Sequence, residues 1–242
     1  MVASIDPMWV SPEPGMAQFR ANGWKLAVTA EISTVGGSRI SAVRIMVCRD
    51  GLVGASAQIC LPGIELPPIS DSFIRGDAFH LSFAELPDHP IGLDLVLLGV
   101  EADEEQLVFE SVMSINTLLL DSWPQLELRI GTGHPGQPRW GEVPLIVLDE
   151  TDSVRWWYAQ PRLAGLGANV ATHLACEARD LGSLDPSLPA DPCRLRFFGD
   201  FLEKGVIRRI SPWWVWSNGM IPRSTGDRLA AQLQSRPLPL GS

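Results

Sequence analysis

Apolar and polar residues alternate with a period of two along much of the chain, the pattern of strands that bury one face. In the first clear run Leu26, Val28, Ala30 and Ile32 fall on one side, with Ala27, Thr29, Glu31 and Ser33 opposite. Gly36-Gly37 breaks it. Arg39 to Cys48 is predicted as a second strand, stopped by Asp50-Gly51, a pair that accepts the positive backbone angles of a tight turn. Val53 to Leu61 completes a meander. Prolines then interrupt residues 62–90, leaving one short strand at Ala78 to Phe83.

Ile91 to Val100 and Gln106 to Ile115 flank the polar stretch EADEE and read as a hairpin. The first arm is apolar on both faces around Leu93 to Leu98, which predicts a central strand covered on both sides. Short strands follow at Leu126 to Ile130 and Pro144 to Leu148, separated by the turn-rich 131–141 stretch GTGHPGQPRWG. Asn169 to Asp180 alternates well enough to favour strand over helix. A second hairpin is predicted at CRLRFFGDFLEKGVIRRIS, with Gly205 supplying the left-handed turn residue and Pro212 interrupting the ladder before Trp213 to Trp216. One helix is convincing, near the C-terminus, where Ser224 and Asp227 have capping-box spacing ahead of Leu229, Ala230 and Leu233.

These elements predict a mainly β protein: a two-sheet antiparallel β-sandwich, or alternatively a β-barrel, with a short C-terminal helix. Residues 1–23 read as an arm or a long leading loop, 24–236 as a single β-rich domain with a possible lobe boundary at 131–141, and 237–242 as a loose tail. No repeat period points to a propeller or solenoid.

Composition narrows the function classes. With 45% hydrophobic residues in 242, the chain can bury a sizeable core without staples. The net charge of -9 repels polyanions, and Lys204, Arg208 and Arg209 are too small a basic group to overcome it. Nucleic acid is therefore not expected as a partner, nor is a membrane, since no apolar run is long enough to span one. The first residues do not read as a signal peptide, which favours the cytoplasm. Cys48, Cys60, Cys176 and Cys193 show no metal-type spacing and read as buried free thiols, with one or two disulfides as the alternative.

Nine tryptophans against one tyrosine is the main anomaly. Five of them lie in two clusters, Arg155-Trp156-Trp157-Tyr158 and Trp213-Trp214-Val215-Trp216. Indoles can fill the gap between sheets, or they can present a flat apolar face with an N–H donor to a protein or a sugar ring. Arg155, Trp156, Trp157, Tyr158, Trp214 and Trp216 are the candidate ligand-binding residues under the second reading.

Other constellations are weaker. Asp149, Glu150 and Asp152 follow an apolar strand and could work as paired carboxylates on a glycosidic bond if a cleft held them about 5–9 Å apart. His80, Glu85 and His89 have metal-ligating chemistry without a recognised spacing. GTGHPG fits G-x-G-x-x-G by letter, but its proline and the absence of a following helix exclude a dinucleotide loop. No cofactor is implied. The sequence thus points to a non-catalytic binding or interaction protein presenting a Trp-rich surface to a protein or carbohydrate. The alternatives are a carbohydrate-active enzyme using the paired carboxylates, and a structural or assembly protein; the oligomeric state is left open.

Overall fold

The computed structural model describes residues 9–35, 38–49, 55–134, 137–140, 146–150, 154–159, 170–177, 194–199 and 201–236. The alternating runs assemble into two antiparallel sheets stacked as a sandwich and not closed into a barrel. Sheet A runs in the order β1 (Trp9–Glu13), β2 (Met16–Ala21), β3 (Trp24–Val35), β4 (Ser38–Arg49), β5 (Ala55–Cys60), β10 (Gln125–His134) and β11 (Gln137–Trp140), with β15 (Arg194–Phe198) also paired to β10. Sheet B runs β12 (Ile146–Glu150), β13 (Val154–Ala159), β14 (Val170–Glu177), β17 (Trp213–Asn218), β9 (Gln106–Thr117), β8 (Ile91–Ala102), β7 (Ala78–Phe83) and β6 (Asp71–Arg75). The short β16 (Arg208–Ile210) pairs with β9 beside β17.

Alternation chooses the inner face. Leu26 and Val28 of β3, Val43, Ile45 and Val47 of β4, and Leu93, Leu95 and Leu97 of β8 all enter one common core. An aromatic seam joins the two sheets there. Phe19 of β2 meets Phe109 of β9 edge to face at 4.9 Å, and Trp9 of β1 reaches Phe79 of β7 at 5.6 Å. Full burial of each such side chain contributes about 1.5–3 kcal/mol. Two indole N–H groups also cross between layers: Trp9 Nε1 donates to the Asp77 carbonyl at 3.0 Å and Trp24 Nε1 to the Asp103 carbonyl at 2.9 Å.

Four expectations are corrected by this arrangement. Residues 1–23 are not an arm throughout, because Trp9 and Phe19 bury themselves in the core and draw β1 and β2 into sheet A. The described residues of the turn-rich 131–141 stretch are paired strand, with Gly131 opposite Trp140 and His134 opposite Gln137 in the β10–β11 hairpin. In the β8–β9 hairpin it is β9 that is covered on both faces; β8 is central but leaves Asp94 exposed. Ser224 does not cap the helix α1 (Arg223–Ser235), which starts one residue earlier with Pro222 in the cap position and no side-chain cap bond. The stretch 237–242 lies outside the described residues.

The fourth correction matters most. The segment predicted as a second hairpin is a crossing between sheets: β15 pairs with β10 in sheet A, while β16 pairs with β9 in sheet B. The turn at Gly205 does form, with φ of 80°. Earlier, however, Phe198 and Gly199 take φ of 68° and 82°, two successive left-handed residues that lead the chain out of sheet A. Gly199 accepts this at little steric cost. Its N–H then bonds the Pro124 carbonyl at 3.0 Å, fixing the exit.

Helix α1 lies on the outer face of sheet B. Leu229 and Leu233 pack against Val108, Trp156, Ala175, Trp213 and Val215. Arg228 grips the buried Glu101 carboxylate with both terminal nitrogens at 2.8 Å, and Arg236 pairs with Glu110 while covering the Trp213 ring at 5.4 Å. The helix covers β14, β17 and part of β9. The outer face of β6, β7 and β8 is left open.

Candidate functional site

Trp214 and Trp216 point inward from β17, stacked at 5.8 Å with an interplanar angle of 8°, and both are buried. Trp214 Nε1 donates to Ser111 Oγ at 2.8 Å within the core. The expected ligand platform at these two residues is therefore corrected, since an indole with no solvent-facing surface cannot stack on an incoming ring. Trp213 takes the opposite face, where helix α1 and Arg236 cover it. The strand alternation placed the rings correctly; what it could not supply was the layer on each side.

Trp156 is buried at 6% exposure but lines a recess of about 300 Å³ with Met220, Ile221 and Pro222 at the start of α1. Register places Trp156 opposite Asp149 and Arg155 opposite Glu150. The side chains of Asp149, Glu150, Arg155, Trp157 and Tyr158, and the whole of Asp152, lie outside the described residues.

The metal candidates are not brought together. His80 stacks on Phe73 at 4.6 Å, Glu85 accepts a bond from Asn116 Nδ2 at 2.8 Å, and His89 Nδ1 faces the Glu65 carbonyl at 3.3 Å. Among the described residues no three ligating side chains converge. Nor does His173 act with Cys176. Strand geometry sends Cys176 into the core between the sheets and His173 to the other side of β14. There His173 is fully buried, its Nε2 3.1 Å from Ser217 Oγ. Burial pushes its pKa down from 6.5 to about 4, opposed in part by the Gly219 carbonyl.

A groove of about 690 Å³ lies on the open half of sheet B's outer face. Its floor is built by register. Ser82 of β7 sits opposite Asp94 of β8, Asp94 opposite Ser114 of β9, and Ser114 opposite Arg209 of β16. These side chains share one face, forming a polar row across four adjacent strands. Beside it runs a second row, His80, Val96 and Val112, also in register. Phe73 and His80 form one wall as near-parallel rings, 5° apart, with Phe73 39% exposed. Arg236, from the end of α1, closes another side.

Arg209 Nε donates to Ser114 Oγ at 3.0 Å, and Glu110 accepts from Ser211 Oγ at 2.5 Å as well as pairing with Arg236. His80 has its pKa lowered by burial first and by Arg75 second, with Asp71 opposing. The remaining charges of the groove, Asp94 and Glu110 against Arg209 and Arg236, cancel. A neutral groove on a chain of net charge -9 is a local departure from the surface at large.

Of these residues the sequence reading singled out only His80, as a metal ligand, and Arg209, as part of a basic group. The rest were legible only as the polar positions of alternating strands. Also unforeseen was an exposed apolar cluster where Trp123 meets Phe201 at 5.6 Å, with Trp123 63% exposed.

No protein-family model matches the chain, and no curated protein sequence matches it either.

Proposed function

We propose that the protein is a non-catalytic binding protein that takes a small polar ligand in the groove on the outer face of sheet B. The surface that serves is not the Trp-rich one expected from the sequence. The observation carrying this is the Ser82–Asp94–Ser114–Arg209 row. It places acceptor, donor and hydroxyl groups side by side across four hydrogen-bonded strands. Its cavity of about 690 Å³ falls in the roughly 300–1,000 Å³ range of small-molecule sites.

Binding without catalysis is favoured by where the carboxylates stand. Asp94 lies opposite Ser114, whereas Glu110 lies opposite Leu98, four residues further along β8. At about 3.3 Å per residue, that separates them by about 13 Å along the strand. Paired carboxylates acting on a glycosidic bond need about 5–9.5 Å. Glu110 is moreover engaged by Ser211 and Arg236.

Protein-observed NMR with a library of small polar compounds tests the proposal. Binders should shift resonances of β7, β8 and β9 together, and Asp94→Ala should abolish those shifts while preserving the rest of the spectrum. Binders that shift only residues around Trp123 or Trp156 would refute it.

A further inference from the structure

We infer that the ligand of this groove is a neutral, chain-like saccharide lying across the strands, held by Ser82, Asp94, Ser114 and Arg209 and stacked against Phe73; this rests on the groove being the binding site proposed above. Three features of the groove select that chemistry.

The first is its hydrogen-bonding repertoire. An ionised aspartate only accepts, a guanidinium only donates, and serine hydroxyls do both. Set one strand apart, they offer alternating acceptors and donors every ~4.8 Å, about 14 Å from first to last. Vicinal hydroxyls, each donor and acceptor at once, satisfy such a row at every step. A carboxylate or phosphate chain would meet Asp94 unfavourably, and the field of a chain with net charge -9 opposes its approach. A polycation would meet Arg209 and Arg236.

The second is the wall. Phe73 and His80 stack at 4.6 Å, and Phe73 is 39% exposed. Val96 and Val112 lie in the adjoining row. A sugar ring has apolar C–H faces and polar edges, so it can lie against such a wall while its hydroxyls reach the polar row.

The third is the backbone. Peptides commonly bind β proteins by adding a strand to a free edge. Here β7, β8 and β9, which form most of the floor, each pair on both sides, so their main-chain groups are used in the ladder, and among the described strands of the groove β6 and β16 alone keep an open edge. Recognition falls to side chains, which suits a ligand with hydroxyls and no backbone amides.

The experiment is isothermal titration and NMR mapping of the full chain against short neutral gluco-, xylo-, manno- and chito-oligosaccharides. Oligogalacturonate, spermidine and an extended peptide serve as comparators. One of the neutral series should bind, with longer members tighter than shorter ones, and shifts should centre on β7 to β9. Asp94→Asn and Phe73→Ala should each weaken binding about tenfold or more, by loss of a charge-assisted bond and of the stacking surface. Trp123→Ser, outside the groove, should leave it unchanged. Both groove side chains are partly exposed, so unchanged thermal unfolding of the variants separates lost binding from lost folding. If a charged comparator or the peptide binds and that binding is lost in Asp94→Asn, the groove stands as the site and the saccharide inference falls. If oligosaccharides bind but neither groove variant alters affinity, the groove reading itself falls. No binding by any neutral series refutes the saccharide inference.

Discussion

His173 ties the stability of the sandwich to pH through one buried ring. It sits in the middle of β14, beneath the turn that leads from β17 into helix α1. Ser217 Oγ donates to the Gly219 carbonyl at 2.7 Å, so the imidazole Nε2 proton, 3.1 Å from that same oxygen, donates to Ser217. Protonating the ring would place a charge where no water reaches, which is why its pKa falls to about 4 in the fold. The unfolded chain keeps the ordinary value near 6.5. Above pH 6.5 the ring is neutral in both states and the stability it permits is complete. As pH falls from 6.5 towards 4 the unfolded state takes up a proton that the folded state refuses, and stability drops. Below pH 4 both states are protonated and the loss is complete. A fall from 6.5 to about 4 corresponds to about 3 kcal/mol at 1.36 kcal/mol per unit. The perturbation is His173→Gln, whose amide can donate to Ser217 without titrating. Urea unfolding at steps between pH 7 and pH 4 gives the difference in stability between the two proteins. That difference should shift in favour of the variant by about 3 kcal/mol over the window, with the other acidic groups cancelling. A difference that stays constant with pH would refute the reasoning, as would an NMR titration in which the His173 ring protonates near 6.5.

Other consequences are more local. Glu127 of β10 is fully buried between Arg129 and Arg196, with Nε–carboxylate distances of 2.5 and 3.1 Å. Glu127→Ala should cost about 3–5 kcal/mol in urea unfolding, since it breaks a buried ion pair. Trp216→Ala should cost about 3–5 kcal/mol by opening a cavity in the core, whereas Trp214→Phe should cost closer to about 1–3 kcal/mol, leaving Ser111 Oγ without its indole donor. In acrylamide quenching, Trp123→Phe should lower the accessible tryptophan emission, because among the described side chains Trp123 is 63% exposed while Trp9, Trp24, Trp156, Trp213, Trp214 and Trp216 are buried. An unchanged quenching curve would contradict the exposure of Trp123.

The period-two pattern by itself marked the longer strands β3, β4, β8 and β9, but not the short β1, β2, β6 and β13. Leu26 and Val28 are read correctly from alternation because the pleat is a local steric property of the backbone, whereas the Leu93 to Leu98 run, apolar on both faces, did not reveal that β8 leaves one face open. The short helix with Leu229 and Leu233 was legible for the same reason, its period being equally local. Pairing was not. Arg194–Phe198 and Arg208–Ile210 look like two arms of one hairpin, yet each found a better partner in a different sheet, β10 and β9. A strand's partner is chosen by the packing of the whole sandwich, and only the backbone angles at Phe198 and Gly199 reveal the departure. The tryptophans followed the same division: alternation assigned Trp214 and Trp216 to one face and Trp213 to the other, but whether a face is solvent or core depends on what lies across it. The groove is the extreme case. Ser82, Asp94, Ser114 and Arg209 are scattered over more than half the chain and become neighbours only through the register of four strands, a relation that no local pattern encodes.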